Sequence, residues 1–454
     1  MMSQSQSSTP GIADGPRGLP LFGNLLSYLP RKLQYLQACA DRYGDVVRLR
    51  LGEPTWLLNN AEDVHHVLIA NSSNYQKTRR LTSQRGKKLS GSGLLTSSGS
   101  QHLQQRRLLQ PHFTRKTSET FCGLVQNETR RLATSWLEKT HVDVCREMEC
   151  LAKSVILRMI FGDDFNLDDG GICDAIDARR RYIEYFYLSL LPFRDKLPTR
   201  VVRDYRIAER QLHNTIDREL HARSKSTEPP RCMLDRFAAA TYQDGSSMTP
   251  NQVRDEVLTL MSTGYETIGD GLTWCWYLLS QHLSEESRMV EEIENVCQQN
   301  DPGLNHLDDL TYTRMVFNES LRLYPPTWIY VRMAQQDDVL PSRTQIRAGD
   351  KIYICQYSLH RNPEYYPDPL SFNPDNFKAA AISKRPKLAY LPFGGGPRVC
   401  MGEPLARMES MLVLATLARQ FQLRCVDPNA VQLHPGITLR PKGGMLMSIE
   451  PRSN

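Results

Sequence analysis

The chain has no run of about 20 apolar residues, the length a membrane span needs. Its most apolar early stretch, Leu19 to Leu29, is interrupted by Pro20 and Gly23. The opening residues MMSQSQSSTPGIADGP carry neither a basic start nor an apolar centre, which excludes a secretory signal. No C-x-x-C pair occurs among the 11 cysteines, and the closest spacing is Cys145 to Cys150. That excludes a zinc ribbon or a disulfide scaffold and points to a reducing compartment. There is no repeat of roughly 20–50 residues and no low-complexity stretch beyond residue 15. The excess of positive charge is slight, a net +6, too little to indicate a nucleic-acid partner. The expectation is a soluble, cytoplasmic monomer with no transmembrane anchor, a flexible tail at residues 1–15 and one large domain over residues 16–454.

Most of that domain reads as helix. Met148, Leu151, Ala152, Val155 and Met159 recur at helical spacing over Glu147–Phe161, with Gly162 as the stop. Val46–Leu51 and Trp56–Asn59 flank Gly52-Glu53-Pro54 and predict a β-hairpin. Val339–Ile354 and Gly436–Ile449 hold the remaining strands. A long helix is expected from Pro250 to about Leu283, opened by Thr249 as N-cap, Pro250 in the first helical position and Gln252 closing a capping box. The fold class is mainly α with a small β region (α+β), with that helix at its centre.

Two places carry chemistry. In FGGGPRVCMG, residues 393–402, Cys400 lies behind a glycine-rich loop and ahead of a helix marked by Leu405, Met408, Met411, Leu412, Ala415, Leu417 and Phe421. Backbone N–H groups and a helix start converging on a sulfur stabilise its thiolate. Glycines 394–396 let the backbone approach a flat ligand and Gly402 lets the helix start lie against it. Arg398 is placed to pair with a carboxylate on such a ligand, and Phe393 shields the sulfur from water. A buried structural cysteine in a tight turn is the competing reading. A dinucleotide loop would need a third glycine where Val399 stands. The second place is Thr263-Gly264-Tyr265-Glu266-Thr267 inside the long helix, where a glycine costs about 1 kcal/mol relative to alanine and a buried carboxylate needs a partner.

The first run resembles the haem-binding loop of the cytochrome P-450 family, F-x-x-G-x-R-x-C-x-G, with Phe393, Gly396, Arg398, Cys400 and Gly402 at the fixed positions and Gly394 within it. The resemblance implies haem b with Cys400 as iron ligand. The helix centre is similar to the family's oxygen-binding motif, [AG]-G-x-[DE]-T-[TS]. Gly264, Glu266 and Thr267 fit it, Thr263 and Ile268 depart, and the implied role of Glu266 and Thr267 is catalytic proton delivery. Alternatively, Thr267 bonds back to the Thr263 carbonyl and Glu266 faces solvent. Glu319 and Arg322 match the family's E-x-x-R structural pair, though on spacing alone they could form a surface ion pair. Asn376 stands where the family's third member, an arginine, is usual. His102 and Arg106, one helical turn apart, and Arg332 match positions that hold haem propionates. The family's layout places Leu94, Leu95, Leu260, Thr263, Gly264, Thr327, Trp328, Ile329, Ile437 and Thr438 around a substrate pocket. It also puts the aromatic cluster Tyr182, Tyr185, Phe186 and Tyr187 above that pocket.

The implied activity is a haem-thiolate monooxygenase that inserts one oxygen atom from O2 into an apolar fatty acid, terpenoid, steroid or natural-product intermediate. Electrons would come from a separate ferredoxin or flavodoxin, docked by Arg107, Arg115, Lys116, Lys384, Arg385 and Lys387. A peroxygenase, a dehydratase or isomerase, and a non-catalytic haem sensor are the alternatives.

Overall fold

The structure is a computed structural model that describes residues 15–84, 86–87, 91–168, 171–187, 197–223 and 229–452. The expected tail lies outside them except for Gly15. The chain forms two compact units.

The first unit comprises Met1–Thr78, Arg322–Ser371 and Asp375–Cys400. Its centre is a five-stranded sheet in the order Val46–Arg50, Pro54–Leu58, Lys351–Cys355, Ile329–Ala334 and Tyr75–Gln76. The predicted hairpin forms with Val46 opposite Leu58 and Arg50 opposite Pro54, and Gly52 adopts φ +85° in its turn. Alternating Val46, Trp56, Leu58, Ile352 and Ile354 pack on Val64, Val67, Leu68, Leu388 and Leu391. The buried Trp56 indole donates from Nε1 to Asp350 Oδ2 at 2.8 Å, so the polar edge of this ring is satisfied. The strands expected within Val339–Ile354 form as a small hairpin, Asp338–Val339 with Gln345–Ile346, followed by Lys351–Cys355.

The second unit, Arg79–Leu321, Phe372–Pro374 and Met401–Asn454, is dominated by helices. Val144–Phe161 starts on Asp143, whose carboxylate accepts from the N–H groups of Cys145 and Arg146, and stops at Gly162 with φ +110°. The capping box at Thr249 and Gln252 forms reciprocally, with Thr249 N–H donating to Gln252 Oε1 at 2.7 Å. The long helix, however, is two segments, Pro250–Gly264 and Glu266–Leu279, broken at Tyr265, and it ends four residues before Leu283, where a new helix begins. Its glycines have a packing role. A Cβ on Gly264 would lie 2.7 Å from Ile156 Cδ1, and one on Gly269 would lie 3.0 Å from Glu149 Cα. Both contacts are with Val144–Phe161, so bare positions let the two helices cross closely. Leu433–Pro435 and Leu439–Pro441 form a hairpin, and His141–Asp143, Leu446–Pro451 and Phe421–Cys425 form a three-stranded antiparallel sheet. Among the described residues no helix is long and apolar enough to cross a membrane.

Candidate functional site

The cysteine loop is closed by its own backbone. Cys400 N–H donates to Phe393 O at 2.8 Å, Val399 N–H to Gly396 O at 3.1 Å and Gly394 N–H to Leu391 O at 2.9 Å. Leu391 is fixed in turn, its N–H donating to Nε2 of buried His360 at 3.0 Å. Burial pushes the His360 imidazole down to about 3, so it stays neutral and keeps that acceptor. Gly394 and Gly396 take φ +80° and +69°. A Cβ on Gly396 would sit 1.9 Å from Leu68 O, so this glycine is required by a crossing of two backbone segments. The sequence assigned that bareness to a ligand; the chain itself demands it first. The outcome is a cysteine that is exposed to solvent, unlike the buried structural cysteine of the competing reading.

Three cations gather in the same unit. Arg332 leaves Ile329–Ala334 with 9% of its surface exposed, and burial lowers its proton affinity. Lys77, half-buried, is held well below the usual lysine range by burial and then by the Arg398 and Arg332 guanidiniums. Sequence reading missed Lys77, which sits in YQKTRR with no motif around it. Like charges brought together out of water cost free energy that an anion between them recovers. The two carboxylates of a haem would supply that anion, and the solvent-accessible thiol of Cys400 on its glycine-rich loop would bind the iron, so these residues fit the group. In the second unit His102 is buried and Arg106 half-buried, one turn apart on Gly99–Leu109, as their spacing predicts.

At the helix break the Thr267 hydroxyl donates to Thr263 O at 3.0 Å, the back-bond that threonines make in helix interiors. The Thr263 hydroxyl donates to Thr259 O at 2.8 Å. Glu266 does not face solvent: its side chain is 12% exposed and lies 3.3 Å from Arg180 Nε. Burial raises its carboxyl to about 8 against the opposing pull of Arg180, so at neutral pH it holds a proton. Leu260 is half-buried and Thr263 exposed, which leaves one face of a mostly buried helix open.

Glu319 and Arg322 are both fully buried, which overturns the surface ion pair. Arg322 donates to the carbonyls of His360, Pro369 and Ser371 at 2.7–2.9 Å and lies over the Tyr366 ring. Glu319 Oε1 accepts from Asn373 N–H at 2.9 Å. Arg385 takes up the ground that Asn376 leaves: its guanidinium donates to Asn376 O at 2.7 Å and stacks over Tyr366 and Phe377. Arg385, expected on the surface that docks a redox protein, is half-buried and held by these contacts. Arg115 is exposed but already paired with Glu119 and Asp308. Arg107, Lys116, Lys384 and Lys387 are exposed.

Of the expected pocket residues, Leu94 N–H donates to Glu256 Oε2 at 3.0 Å, and Leu95 and Ile437 are exposed. Thr327 and Ile329 are half-buried, and Trp328 is packed away at 3% exposure. Tyr182 stacks on Tyr205 with centroids 3.9 Å apart, and with Phe186 and Val202 it forms a small core against which Tyr185 and Tyr187 pack.

Residues 14–447 match the family Cytochrome P450. Cyclooctatin synthase of Streptomyces melanosporofaciens is 32% identical over 96% of this chain and 95% of its own length. Cyclooctat-9-en-7-ol 5-monooxygenase of the same organism is 32% identical over 98% and 96%. Pentalenene oxygenase of Streptomyces avermitilis is 28% identical over 91% and 92%. Among solved structures, retinoic acid bound cyanobacterial CYP120A1 shares the fold with a TM-score of 0.87, covering 98% of this chain and 100% of that one at 22% identity. The chain belongs to the cytochrome P450 family, and it is a haem-dependent monooxygenase.

Proposed function

We propose that this monooxygenase hydroxylates an apolar terpenoid, using haem b and electrons from a separate ferredoxin or flavodoxin, with residues 16–454 acting as one cytoplasmic, monomeric haem domain. The accessible Cys400 thiol, in the same unit as the Lys77, Arg332 and Arg398 cations, carries the reading. Bound haem supplies the oxygen activation and C–H chemistry that no side chain can perform. Cys400 donates the thiolate. Lys77, Arg332 and Arg398 would hold the propionates. Glu266, protonated at neutral pH and steadied by Arg180, keeps a proton beside the helix break, and the Thr267 hydroxyl passes it on. Leu94, Leu95, Leu260 and Ile437 would present apolar side chains to substrate. The terpenoid assignment is supported by relatives whose names tie them to pentalenene and to cyclooctat-9-en-7-ol.

The test supplies surrogate redox proteins and a panel of cyclic terpenes, steroids and fatty acids to wild type and Thr267→Ala. Wild type should oxidise terpenes preferentially. The variant should divert at least about half of its reducing equivalents to hydrogen peroxide with substrate affinity within about threefold, a shift below 1 kcal/mol. Unchanged coupling in the variant, or turnover that runs on peroxide alone, contradicts the proton role.

A further inference from the structure

The apolar stretch at residues 19–29 is too short to span a bilayer, and the reaction leaves it without a use. In the first unit it opens with a tight turn. Leu19 and Gly23 exchange two backbone hydrogen bonds, at 2.8 and 2.9 Å, and Phe22 N–H donates to Pro20 O at 2.8 Å. Buried Asn24 ties this turn down. Its N–H donates to Arg50 O at 2.7 Å, its Oδ1 accepts from Arg50 N–H at 2.7 Å, and its Nδ2 donates to Pro16 O at 3.0 Å. A Cβ on Gly23 would lie 2.6 Å from Arg50 Cβ, so the turn rests directly on the edge strand Val46–Arg50.

What this scaffold holds out is apolar. Leu21 is fully exposed, and Leu19, Phe22 and Leu26 are each more than half exposed. Leu21 also takes φ +66°, a left-handed conformation that costs a leucine free energy. Single exposed apolar residues are ordinary, but a cluster on one fixed turn marks an interaction site. The charges beside it are of one sign. Arg17 and Arg50 are exposed and have no carboxylate partner among the described residues. Glu53, in the hairpin turn that follows Arg50, is taken up by Lys351 at 2.5 Å.

We propose that this turn is a membrane-docking tip. Leu19, Leu21, Phe22 and Leu26 enter the interface of an anionic bilayer while Arg17 and Arg50 pair with lipid phosphates, which holds the protein reversibly on the surface. A projecting side chain such as Leu21 needs a cavity in a protein partner, whereas a bilayer accepts it without one. The inference does not depend on the substrate assigned above.

The test is cosedimentation of the purified full-length holoenzyme with vesicles of phosphatidylcholine, alone or mixed with an equal part of phosphatidylglycerol. It compares wild type, Leu21→Asn/Phe22→Ser, Arg17→Gln/Arg50→Gln and, as a control in the second unit, the exposed Leu137→Ser. Asparagine tolerates the left-handed conformation at position 21, so the turn is kept, and melting temperatures equal to wild type verify it. Wild type should bind the phosphatidylglycerol vesicles at least about tenfold more tightly than the neutral ones. Leu21→Asn/Phe22→Ser should weaken that binding at least about tenfold at any salt concentration. Arg17→Gln/Arg50→Gln should weaken it about tenfold at low salt, the difference closing as salt is added. Leu137→Ser should bind as wild type does. Wild type that stays in the supernatant with both vesicles overturns the proposal, as does a Leu137→Ser that weakens binding as much as the tip variant. An arginine variant with full affinity overturns the pairing with phosphates. A tip variant that keeps vesicle binding but loses affinity for a surrogate ferredoxin makes this a protein-docking face and overturns the lipid assignment.

Discussion

At the scale of single residues, Lys77 shows what a motif leaves out. The five fixed letters of the Cys400 motif fall within residues 393–402 and so are visible in the sequence, whereas Lys77 gains its meaning only because folding brings it to Arg332 and Arg398, more than 250 positions away. Its charge should act with opposite sign in the two states of the protein. Lys77→Gln relieves repulsion in the haem-free chain, whose melting temperature should rise. The same change removes a propionate partner, so haem transfer to an acceptor globin should accelerate about tenfold, equivalent to roughly 1.4 kcal/mol. A variant that loses stability in both states would mark Lys77 as an ordinary packing residue. The Glu266–Arg180 pair was hidden in the same way: the acid is legible from its neighbours Gly264 and Thr267, but the cation that moderates its proton affinity lies on another helix.

Elements were legible where local chemistry marks both ends. The capping box at Thr249 and the stop at Gly162 are local signals, and both helices begin or end there. The overrun to Leu283 has the opposite cause. Apolar periodicity continues through Leu278 and Leu279 into Leu283, and nothing in it records the turn at Ser280–His282. Around the cysteine loop, the E-x-x-R arginine was legible but its companion was not, because Arg385 reaches Tyr366 and Phe377 from outside the usual P-x-R-F segment. This separates two neighbours of like charge. Arg385→Glu should destabilise the protein by about 1–3 kcal/mol through lost stacking and a broken bond to Asn376 O. Lys384→Glu, on an exposed side chain, should leave the melting temperature unchanged and slow reduction by an acidic ferredoxin several-fold at low salt, the difference closing as salt is added. Equal melting temperatures for the two variants would contradict the structural role of Arg385.

For the whole molecule, the buried acids set how stability responds to pH. Glu266 and Glu409 are raised to about 8 and Glu256 to about 7, each chiefly by burial, from an ordinary value of 4.5. Raised carboxyls bind protons more tightly folded than unfolded. Their contribution is complete below the unfolded value and is lost as pH climbs through the folded one, at about 1.4 kcal/mol for each pH unit that separates the two. Stability should therefore decline between about pH 5 and 8. Glu409→Gln, which alters a helix-interior acid whose Oε1 has no hydrogen-bond partner among the described residues, should flatten that decline in urea melts; an unaltered slope would show Glu409 to be ionised. The central claim is the bond between Cys400 and haem iron, and the absorption of the reduced, carbonyl-bound holoenzyme tests it most directly. Wild type should show the red-shifted band of thiolate ligation and Cys400→His the shorter-wavelength band of a histidine-ligated globin. A globin-like band in freshly prepared, intact wild type would contradict the account.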